Sequence, residues 1–348
     1  MKAAISLLPL AVLATAQLHY AEQKPLEGQP VDEIPIAEKP FSTEPLSIDQ
    51  IPLLGFGTWN LKENCTEAVS YAIQQGYRHI DCAAAYGNEF QVGRGIAEGL
   101  AVTGLTRADL WITSKLWNDH HNPNQVEAAI DDSLQKLGVG YLDLYHMHWP
   151  VKDGWFGRKY IDYVDTWGAM VLLKDKGKAR HIGVSNFSPH QMEDLLKNTS
   201  VVPAVHQMEL HPYLQQSDFV EWHSKHGIHV TAYSPLAGTN PTYDTGNFTQ
   251  LLNNTVVTKI ASKRDCTPAQ VLLAWGMGRG TSVIPKTSHF ERVKENFGSL
   301  ECELKDKDVE KIDKLGKAHK RYNNPSKSWG LDLYEDLEDS KGEHKKHS

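Results

Sequence analysis

The sequence predicts one α/β domain folded as a parallel (β/α)8 barrel. Short apolar runs rich in β-branched residues alternate with amphipathic helical patterns, and the runs number eight. The runs are apolar nearly throughout, as expected for parallel strands that are buried on both faces. Eight such units favour a closed barrel over an open doubly wound sheet, and 348 residues leave room for a barrel of about 250 residues.

The predicted elements follow one another in a regular order along the chain. The strands cover residues 54–58, 79–83, 110–116, 142–148, 181–186, 204–210, 229–236 and 282–286. The helices cover residues 65–75, 89–100, 125–137, 165–176, 189–197, 217–226, 268–277 and 307–315. Two stretches interrupt this rhythm, a long polar loop over 237–258 and a charged tail over 316–348. Long loops and tails on such a barrel usually build a substrate pocket.

The composition narrows the classes of function. Hydrophobic residues make up 40% of the chain and charged residues 23%, which is ordinary for a globular protein and excludes collagen-like, disordered and coiled-coil chains. The net charge of −7 comes without a basic stripe, so no nucleic-acid partner is expected. The four cysteines are widely separated and form no CxxC pair, so their spacing gives no basis for a disulfide framework.

The first sixteen residues differ in character from the rest of the chain. One lysine precedes an apolar run that ends in Ala14-Thr15-Ala16, as in a cleavable secretory signal peptide. The run is too short to cross a bilayer, so no membrane span is expected; a disordered or mitochondrial N-terminus is the alternative. Residues 17–48 form an extended polar leader. Sequons for N-glycosylation, which suit a secreted glycoprotein, begin at Asn64, Asn186, Asn198, Asn247 and Asn253.

Four reactive side chains lie at the carboxyl ends of successive predicted strands. Asp81 ends the second strand, with Tyr86 five residues later. Lys115 lies on the third strand and His148 ends the fourth. In a barrel these ends converge on one pocket, where an ammonium group beside a phenol lowers the pKa of the phenol and a carboxylate holds the ammonium charged. Such a set suits protonation of a developing alkoxide, and therefore carbonyl reduction. A hydrolase is not expected, because the sequence lacks the GxSxG and HExxH patterns and any evident catalytic carboxylate pair.

These residues and their surroundings resemble the aldo-keto reductase superfamily, with aldose and aldehyde reductases as the nearest type. The resemblance covers most of the chain through several motifs in the expected order. The motifs are residues 54–59 (LGFGTW), 76–81 (GYRHID), 85–89 (AYGNE), 143–150 (DLYHMHWP), 182–187 (IGVSNF) and 284–286 (IPK). The resemblance implies a TIM barrel over 49–322 with a C-terminal tail over 323–348.

The resemblance assigns a role to each member of the reactive set. Tyr86 would be the general acid, Lys115 would lower its pKa, and Asp81 would hold Lys115. His148 would orient the substrate carbonyl. The implied substrate-binding residues are Trp59, Trp117, His148 and Trp149. For each tryptophan alone, packing in the core or at the surface is the alternative.

The resemblance also implies NADPH as cofactor. No metal ion is expected, because His120 and His121 have no third ligand nearby in the sequence. The implied cofactor-binding residues are Ser185, Asn186, Gln207, Tyr233, Ser234, Leu236, Lys286, Thr287, Ser288, Arg292, Glu295 and Asn296. The first three would bind the nicotinamide carboxamide, and Tyr233 would stack on the nicotinamide ring. Lys286 and Arg292 match the family's site for the 2′-phosphate, which favours NADPH over NADH because a dianion calls for nearby cations; ordinary surface cations are the alternative.

The sequence therefore predicts an NADP-dependent alcohol dehydrogenase or carbonyl reductase. Its substrate would be an aldehyde or ketone, in the form of a small sugar, a polyol-type carbonyl or an aromatic carbonyl. The alternative from another class is a nucleotide-holding accessory protein of the same fold with little turnover, and polyol oxidation is the alternative direction of the reaction. Short members of the family often act as monomers, which favours a monomer here.

The predicted cofactor and the predicted signal peptide disagree about location. The signal peptide predicts the secretory pathway or secretion, whereas NADPH is supplied in the cytosol, which makes the cytoplasm the alternative. Asn186 is affected directly, because it is both a sequon and an implied carboxamide ligand. A glycan on Asn186 would obstruct the cofactor, so export would require that this sequon be skipped.

Overall fold

A ring of parallel strands organises the chain. The computed structural model describes residues 48–151, 162–239, 246, 248–335 and 337. Within these residues eight strands form one sheet in the order of the sequence, with every neighbouring pair parallel. They are β1 (Phe56–Gly57), β2 (His79–Asp81), β3 (Trp111–Leu116), β4 (Leu142–Met147), β5 (Ala179–Ser185), β6 (Val205–Glu209), β7 (His229–Tyr233) and β8 (Ser282–Val283).

The sheet closes on itself between β8 and β1. The N–H of Gly55 donates to the carbonyl of Val283 at 2.9 Å, and the N–H of Gly57 donates to the carbonyl of Pro285 at 3.0 Å. The structure is therefore a (β/α)8 TIM barrel, and the fold predicted from the sequence is confirmed. The predicted signal peptide lies outside the described residues, and so does the predicted leader up to residue 47.

Helices follow the strands and cover the outside of the barrel. In the described residues they are α1 (Cys65–Gln75), α2 (Glu89–Thr103), α3 (Pro123–Leu137), α4 (Tyr163–Asp175), α5 (Pro189–Asn198), α6 (Ser217–Lys225), α7 (Thr255–Arg264), α8 (Pro268–Gly278), α9 (Phe290–Phe297), α10 (Asp306–Asp313) and α11 (Ser326–Trp329). None of them is long and apolar enough to cross a bilayer. The predicted helices correspond to α1–α6, α8 and α10, while α7, α9 and α11 were not predicted.

Local sequence signals explain where several helices begin and end. Ser188 and Thr267 accept hydrogen bonds from the backbone at the third helical position, and each precedes a proline in the first turn of α5 and α8. Gly76 ends α1 with a φ of 110°, a left-handed conformation that favours glycine. These residues fix the starts of α5 and α8 and the end of α1.

The predicted polar loop over 237–258 is wrong in its last part, because α7 begins at Thr255. The side chain of Asn254 accepts a hydrogen bond from the N–H of Val256 at 2.9 Å and caps this helix. Val257 and Ile260 then bury the inner face of the helix. The asparagine and threonine residues around this start are typical of a loop in composition, although Asn254 acts as the helix cap.

Cys266 and Cys302 form a disulfide, with their Cα atoms 6.0 Å apart. Cys266 lies between α7 and α8, and Cys302 lies shortly after α9. The bond therefore ties the α7–α8 junction to the segment that follows α9. The separation of 36 residues carries no recognisable motif, and so cysteine spacing did not predict the pairing.

Candidate active site

Lys115 is the centre of a buried hydrogen-bonded group at the carboxyl ends of β2 and β3. Its ammonium donates to Asp81 Oδ1 at 2.6 Å, to the carbonyl of Cys82 at 2.8 Å and to the Tyr86 hydroxyl at 3.2 Å. The Lys115 side chain is fully buried. Its charge is therefore weakly screened by water and acts strongly on its neighbours. Three of the four residues singled out at the strand ends are in direct contact.

Asp81 is held from a second side by Gln207 of β6. Gln207 Nε2 donates to Asp81 Oδ2 at 2.7 Å, so each carboxylate oxygen has a partner. Strand β6 is not a neighbour of β2 in the sheet, and the contact therefore crosses the interior of the barrel. It joins the reactive group to a residue that the resemblance assigned to cofactor binding.

His148 lies beside the Tyr86 ring. The two rings are edge-on with centroids 5.8 Å apart, and the ring of Trp117 lies 5.1 Å from His148 in the same manner. Burial lowers the pKa of the His148 imidazole well below its usual range, and the positive charge of Lys115 lowers it further. His148 is therefore a neutral imidazole near neutral pH, which forms hydrogen bonds without carrying a charge.

Asn186 and Tyr233 connect the ends of β5 and β7. Asn186 has a φ of 62°, an uncommon conformation for a residue other than glycine. Its side-chain amide donates to the carbonyl of His148 at 3.0 Å and to Ser185 Oγ at 3.0 Å. Its Oδ1 accepts from the Tyr233 hydroxyl at 2.8 Å. Backbone strain held in place by such contacts is frequent at ligand-binding sites.

The segments after β7 and β8 carry the remaining residues assigned to the cofactor. Ser234 has a φ of 50°, and its carbonyl accepts from the N–H of Ala237 at 2.8 Å. The buried Thr287 accepts at Oγ1 from the N–H of His289 at 3.1 Å, just before α9. The other assigned residues of these segments are Leu236, Lys286, Ser288, Arg292, Glu295 and Asn296, the last three of them on α9.

Two lysines bring positive charge to the mouth beside β8. Partial burial lowers the pKa of the Lys286 ammonium, and the charge of Lys62 lowers it further. Lys62 lies between β1 and α1 and was not identified from the sequence. Two cations that destabilise one another favour an anion between them.

Aromatic side chains form a wall beside His148. Trp149 is buried, and its ring lies 5.0 Å from that of Trp329, which also lies 6.3 Å from the ring of Trp117. Trp329 belongs to α11 in the C-terminal tail and was not identified from the sequence. Trp59 is 36% exposed and is the most exposed of the three tryptophans assigned to the pocket.

Glu209 at the end of β6 attaches the C-terminal tail, from residue 316 onward, to the mouth of the barrel. Its carboxylate accepts from the N–H of Tyr322 at 2.8 Å, from the N–H of Asn323 at 2.8 Å and from His211 Nε2 at 2.9 Å. Burial alone would raise the pKa of Glu209, but these hydrogen bonds and the nearby Arg321 outweigh it and lower the pKa. Glu209 is therefore a charged anchor, which sequence analysis missed.

The described residues contain no group of three or more His, Cys, Asp or Glu side chains arranged to hold a metal ion. Together, the side chains described above can hold an anion, bind an amide and deliver a proton.

The chain is similar to known proteins over most of its length. The model of the aldo/keto reductase family matches residues 53–317. An uncharacterised oxidoreductase of Schizosaccharomyces pombe is 44% identical over 282 residues, which is 77% of this chain and 86% of that protein. The D/L-glyceraldehyde reductase of Hypocrea jecorina is 39% identical over 320 residues, 85% of this chain and 94% of that enzyme.

A solved structure has the same fold. The Bombyx mori aldo-keto reductase in complex with NADP superposes with a TM-score of 0.77 at 36% identity, covering 82% of this chain and 95% of that one. The family match spans more than half of the chain, and the relatives are similar over most of their length. This chain belongs to the aldo/keto reductase family of oxidoreductases.

Proposed function

We propose that the protein reduces an aldehyde or ketone to the alcohol with NADPH, and that Tyr86 donates the proton. The observation that carries this proposal is the position of the Lys115 ammonium, which lies in hydrogen-bond contact with both the Asp81 carboxylate and the Tyr86 hydroxyl. As the proton leaves Tyr86, negative charge develops on the phenol oxygen. The buried ammonium stabilises that charge, and Asp81 keeps the ammonium in place.

His148 has a different role in this proposal. Because its imidazole is neutral and buried, it is a poor source of protons but a good hydrogen-bond partner for the substrate oxygen. Its position beside the Tyr86 ring allows both residues to face the same carbonyl oxygen. We therefore assign orientation of the substrate to His148 and proton donation to Tyr86.

The residues of the mouth fit NADPH. When bound, NADPH supplies a hydride to the carbonyl carbon. Asn186 Oδ1 accepts one hydrogen bond from Tyr233 and has a second lone pair for a carboxamide N–H. Lys62, Lys286 and Arg292 supply the positive charge that a 2′-phosphate requires. A family member crystallised with NADP supports the same cofactor here.

The proposal is tested with Tyr86→Phe. We expect this variant to bind NADPH as the wild type does, because the hydroxyl is not assigned to the cofactor, and to lose about 10²–10⁴-fold in kcat. Oxidation of NADPH with an aldehyde measures turnover, and quenching of tryptophan fluorescence measures binding. A kcat like that of the wild type would overturn the role of Tyr86. Binding without turnover in the wild type would favour the alternative of a nucleotide-holding accessory protein.

The substrate class follows from the wall of the mouth and from one relative. Trp117, Trp149 and Trp329 offer flat apolar surfaces that suit aromatic carbonyls and the carbon face of small sugars. The Hypocrea jecorina relative is named as a D/L-glyceraldehyde reductase, which supports small hydroxylated aldehydes. Rates of reduction of glyceraldehyde, a pentose and benzaldehyde would rank the substrates. Rates of oxidation of the corresponding alcohols by NADP⁺ would establish the preferred direction of the reaction.

We also propose that the chain enters the secretory pathway. The Cys266–Cys302 disulfide supports this, because such bonds persist mainly in oxidising compartments. Asn64, Asn198 and Asn253 are exposed, whereas Asn186 is only 3% exposed and bonded within the site. We expect endoglycosidase-sensitive glycans on the three exposed sequons and none on Asn186. An unglycosylated cytosolic product that retains Met1 would overturn this proposal.

A further inference from the structure

The C-terminal tail is attached to the barrel by its backbone. The N–H groups of Tyr322 and Asn323 both donate to the charged carboxylate of Glu209. The Tyr334 hydroxyl donates to the carbonyl of Asn323 at 2.8 Å, and the Arg321 guanidinium lies 3.9 Å above the Tyr334 ring. The backbone of Asn323 is therefore fixed on both sides, and its side chain is free to serve another contact.

The side chain of Asn323 begins a chain of hydrogen bonds that runs into the active site. Asn323 Nδ2 donates to the Tyr233 hydroxyl at 3.1 Å. The Tyr233 hydroxyl donates in turn to Asn186 Oδ1 at 2.8 Å, and Asn186 Nδ2 donates to the carbonyl of His148 at 3.0 Å. Every donor in this series meets an acceptor, and the three bonds run in one direction.

This series of hydrogen bonds links the substrate pocket to the proposed cofactor site, whose residues are far apart in the sequence. One end is the tail that carries Trp329 against the wall of the substrate pocket. The other end holds Asn186, which we assign to the nicotinamide carboxamide, while Tyr233 in the middle is assigned to the nicotinamide ring. The Tyr233 hydroxyl thus contacts a residue of the tail on one side and the Asn186 amide on the other.

We propose that Asn323 is a positioning residue that couples docking of the tail to binding of the cofactor through the Tyr233 hydroxyl. The inference rests on the proposed function, because it takes NADP⁺ as the ligand of Asn186 and Tyr233. A bound cofactor and a docked tail stabilise the same arrangement of Tyr233, and the coupling is therefore reciprocal. The cofactor strengthens the attachment of the tail, and the docked tail strengthens binding of the cofactor.

A double-mutant cycle tests the coupling. Asn323→Ala removes the donor to Tyr233 but keeps the backbone N–H groups that hold the tail on Glu209. Tyr233→Phe removes the hydroxyl but keeps the ring. We expect Asn323→Ala to raise the Kd for NADP⁺ about three- to tenfold, the worth of one neutral hydrogen bond, when Tyr233 is present. In the Tyr233→Phe background, the same change should alter the Kd by less than about twofold.

Hydrogen exchange at the amides of Tyr322 and Asn323 gives a second readout, since these amides report docking on Glu209 directly. We expect NADP⁺ to slow their exchange in the wild type and to have no such effect in Tyr233→Phe. Ser328→Ala is the matched control, because it removes the bond from Ser328 Oγ to the carbonyl of Pro325 within the same tail and does not touch the chain of hydrogen bonds. Its Kd for NADP⁺ should equal that of the wild type.

The outcomes separate the two proposals. If Asn323→Ala weakens NADP⁺ binding equally with and without the Tyr233 hydroxyl, Asn323 acts only on the tail. The proposed coupling through the Tyr233 hydroxyl is then wrong. The same conclusion follows if NADP⁺ leaves exchange at Tyr322 and Asn323 unchanged in the wild type. If the wild type does not bind NADP⁺, the proposed function itself fails, and this inference fails with it.

Discussion

Two buried carboxylates at the mouth of the barrel differ in how much of their role could be predicted. Asp81 was identified because it and its ion-pair partner Lys115 are side chains with recognisable chemistry at neighbouring strand ends. Glu209 was missed because two of its partners are backbone N–H groups of Tyr322 and Asn323, the first of them 113 residues away. Backbone donors leave no trace in the residue type, so such an anchor is visible only once the chain is folded.

Asp81→Asn should destabilise the fold as well as slow the reaction. The substitution leaves the fully buried ammonium of Lys115 without a counter-charge, and breaking a buried ion pair in this way costs about 3–5 kcal/mol. Urea unfolding of the wild type and the variant measures the free energy of unfolding. The control is the double variant Asp81→Asn/Lys115→Met, which carries no buried charge at this position and should be more stable than Asp81→Asn alone. Equal stability of the two variants would contradict an ionic interaction here.

Glu89, a buried acid at the start of α2, should make stability depend on pH. Burial raises the pKa of Glu89, although hydrogen bonds from Ser114 and Ser133 partly oppose this. The folded state therefore holds the proton at pH values where the unfolded chain has lost it. The contribution of Glu89 is fully present below the unfolded pKa and is lost as the pH rises through the higher folded pKa.

The comparison that reveals this effect is wild type against Glu89→Gln. Glutamine keeps the shape and can still bond with the two serine hydroxyls, but it does not titrate. We expect the free energy of unfolding of Glu89→Gln, relative to that of the wild type, to increase as the pH is raised from about 4 to about 7. This range begins near the usual glutamate pKa of about 4.3. A difference that stays constant over this range would contradict a raised pKa.

At the scale of the elements, close packing of helices explains a glycine cluster that could be mistaken for a nucleotide fingerprint. Gly93 and Gly95 lie within α2, where a Cβ at Gly93 would come within 2.7 Å of the Leu137 carbonyl of α3, and one at Gly95 within 2.5 Å of the Thr66 carbonyl of α1. Backbone atoms cannot move aside as a flexible side chain can. These glycines thus serve the contact of α2 with the neighbouring helices.

Gly93→Ala should therefore cost about 1–3 kcal/mol of stability, as overpacked sites do. Gly168 on α4 provides the matched control, because a Cβ there meets nothing within 4 Å. Gly168→Ala should be stabilising by about 0.5–1 kcal/mol, since alanine favours the helix over glycine. Thermal unfolding of both variants measures the contrast. Similar effects of the two changes would show that helix propensity, and not close packing, governs both sites.

The elements that the sequence did not reveal are short or weakly patterned. Helix α9 spans eight residues, Phe290–Phe297, and only Val293 and Asn296 of it are buried, so it lacks the long apolar stripe that periodicity detects. Helix α11, Ser326–Trp329, is a single turn. The eight strands were all identified because strands of a closed barrel are apolar on both faces.

At the scale of the whole molecule, the Cys266–Cys302 disulfide makes the stability of this chain depend on its redox environment. Cys266 and Cys302 are 36 residues apart, and closing a loop of that length in the unfolded chain stabilises the native state by about 3–4 kcal/mol. The bond ties the segment before α8 to the segment after α9, and α9 carries Arg292, Glu295 and Asn296. Loss of the bond should thus affect both the stability and the part of the proposed cofactor site that lies on α9.

We expect Cys302→Ser to lower the free energy of unfolding by about 3–4 kcal/mol and to raise the Kd for NADP⁺. Dithiothreitol should lower the stability of the wild type by a similar amount, because it reduces the disulfide to two thiols while it is itself oxidised. The double variant Cys266→Ser/Cys302→Ser is the control and should not respond to dithiothreitol. Cys65 and Cys82 are buried and outside the disulfide, so they remain unchanged in every sample and cannot account for a difference between the two proteins. If the wild type and the double variant unfold alike without reductant, the bond makes no net contribution to stability.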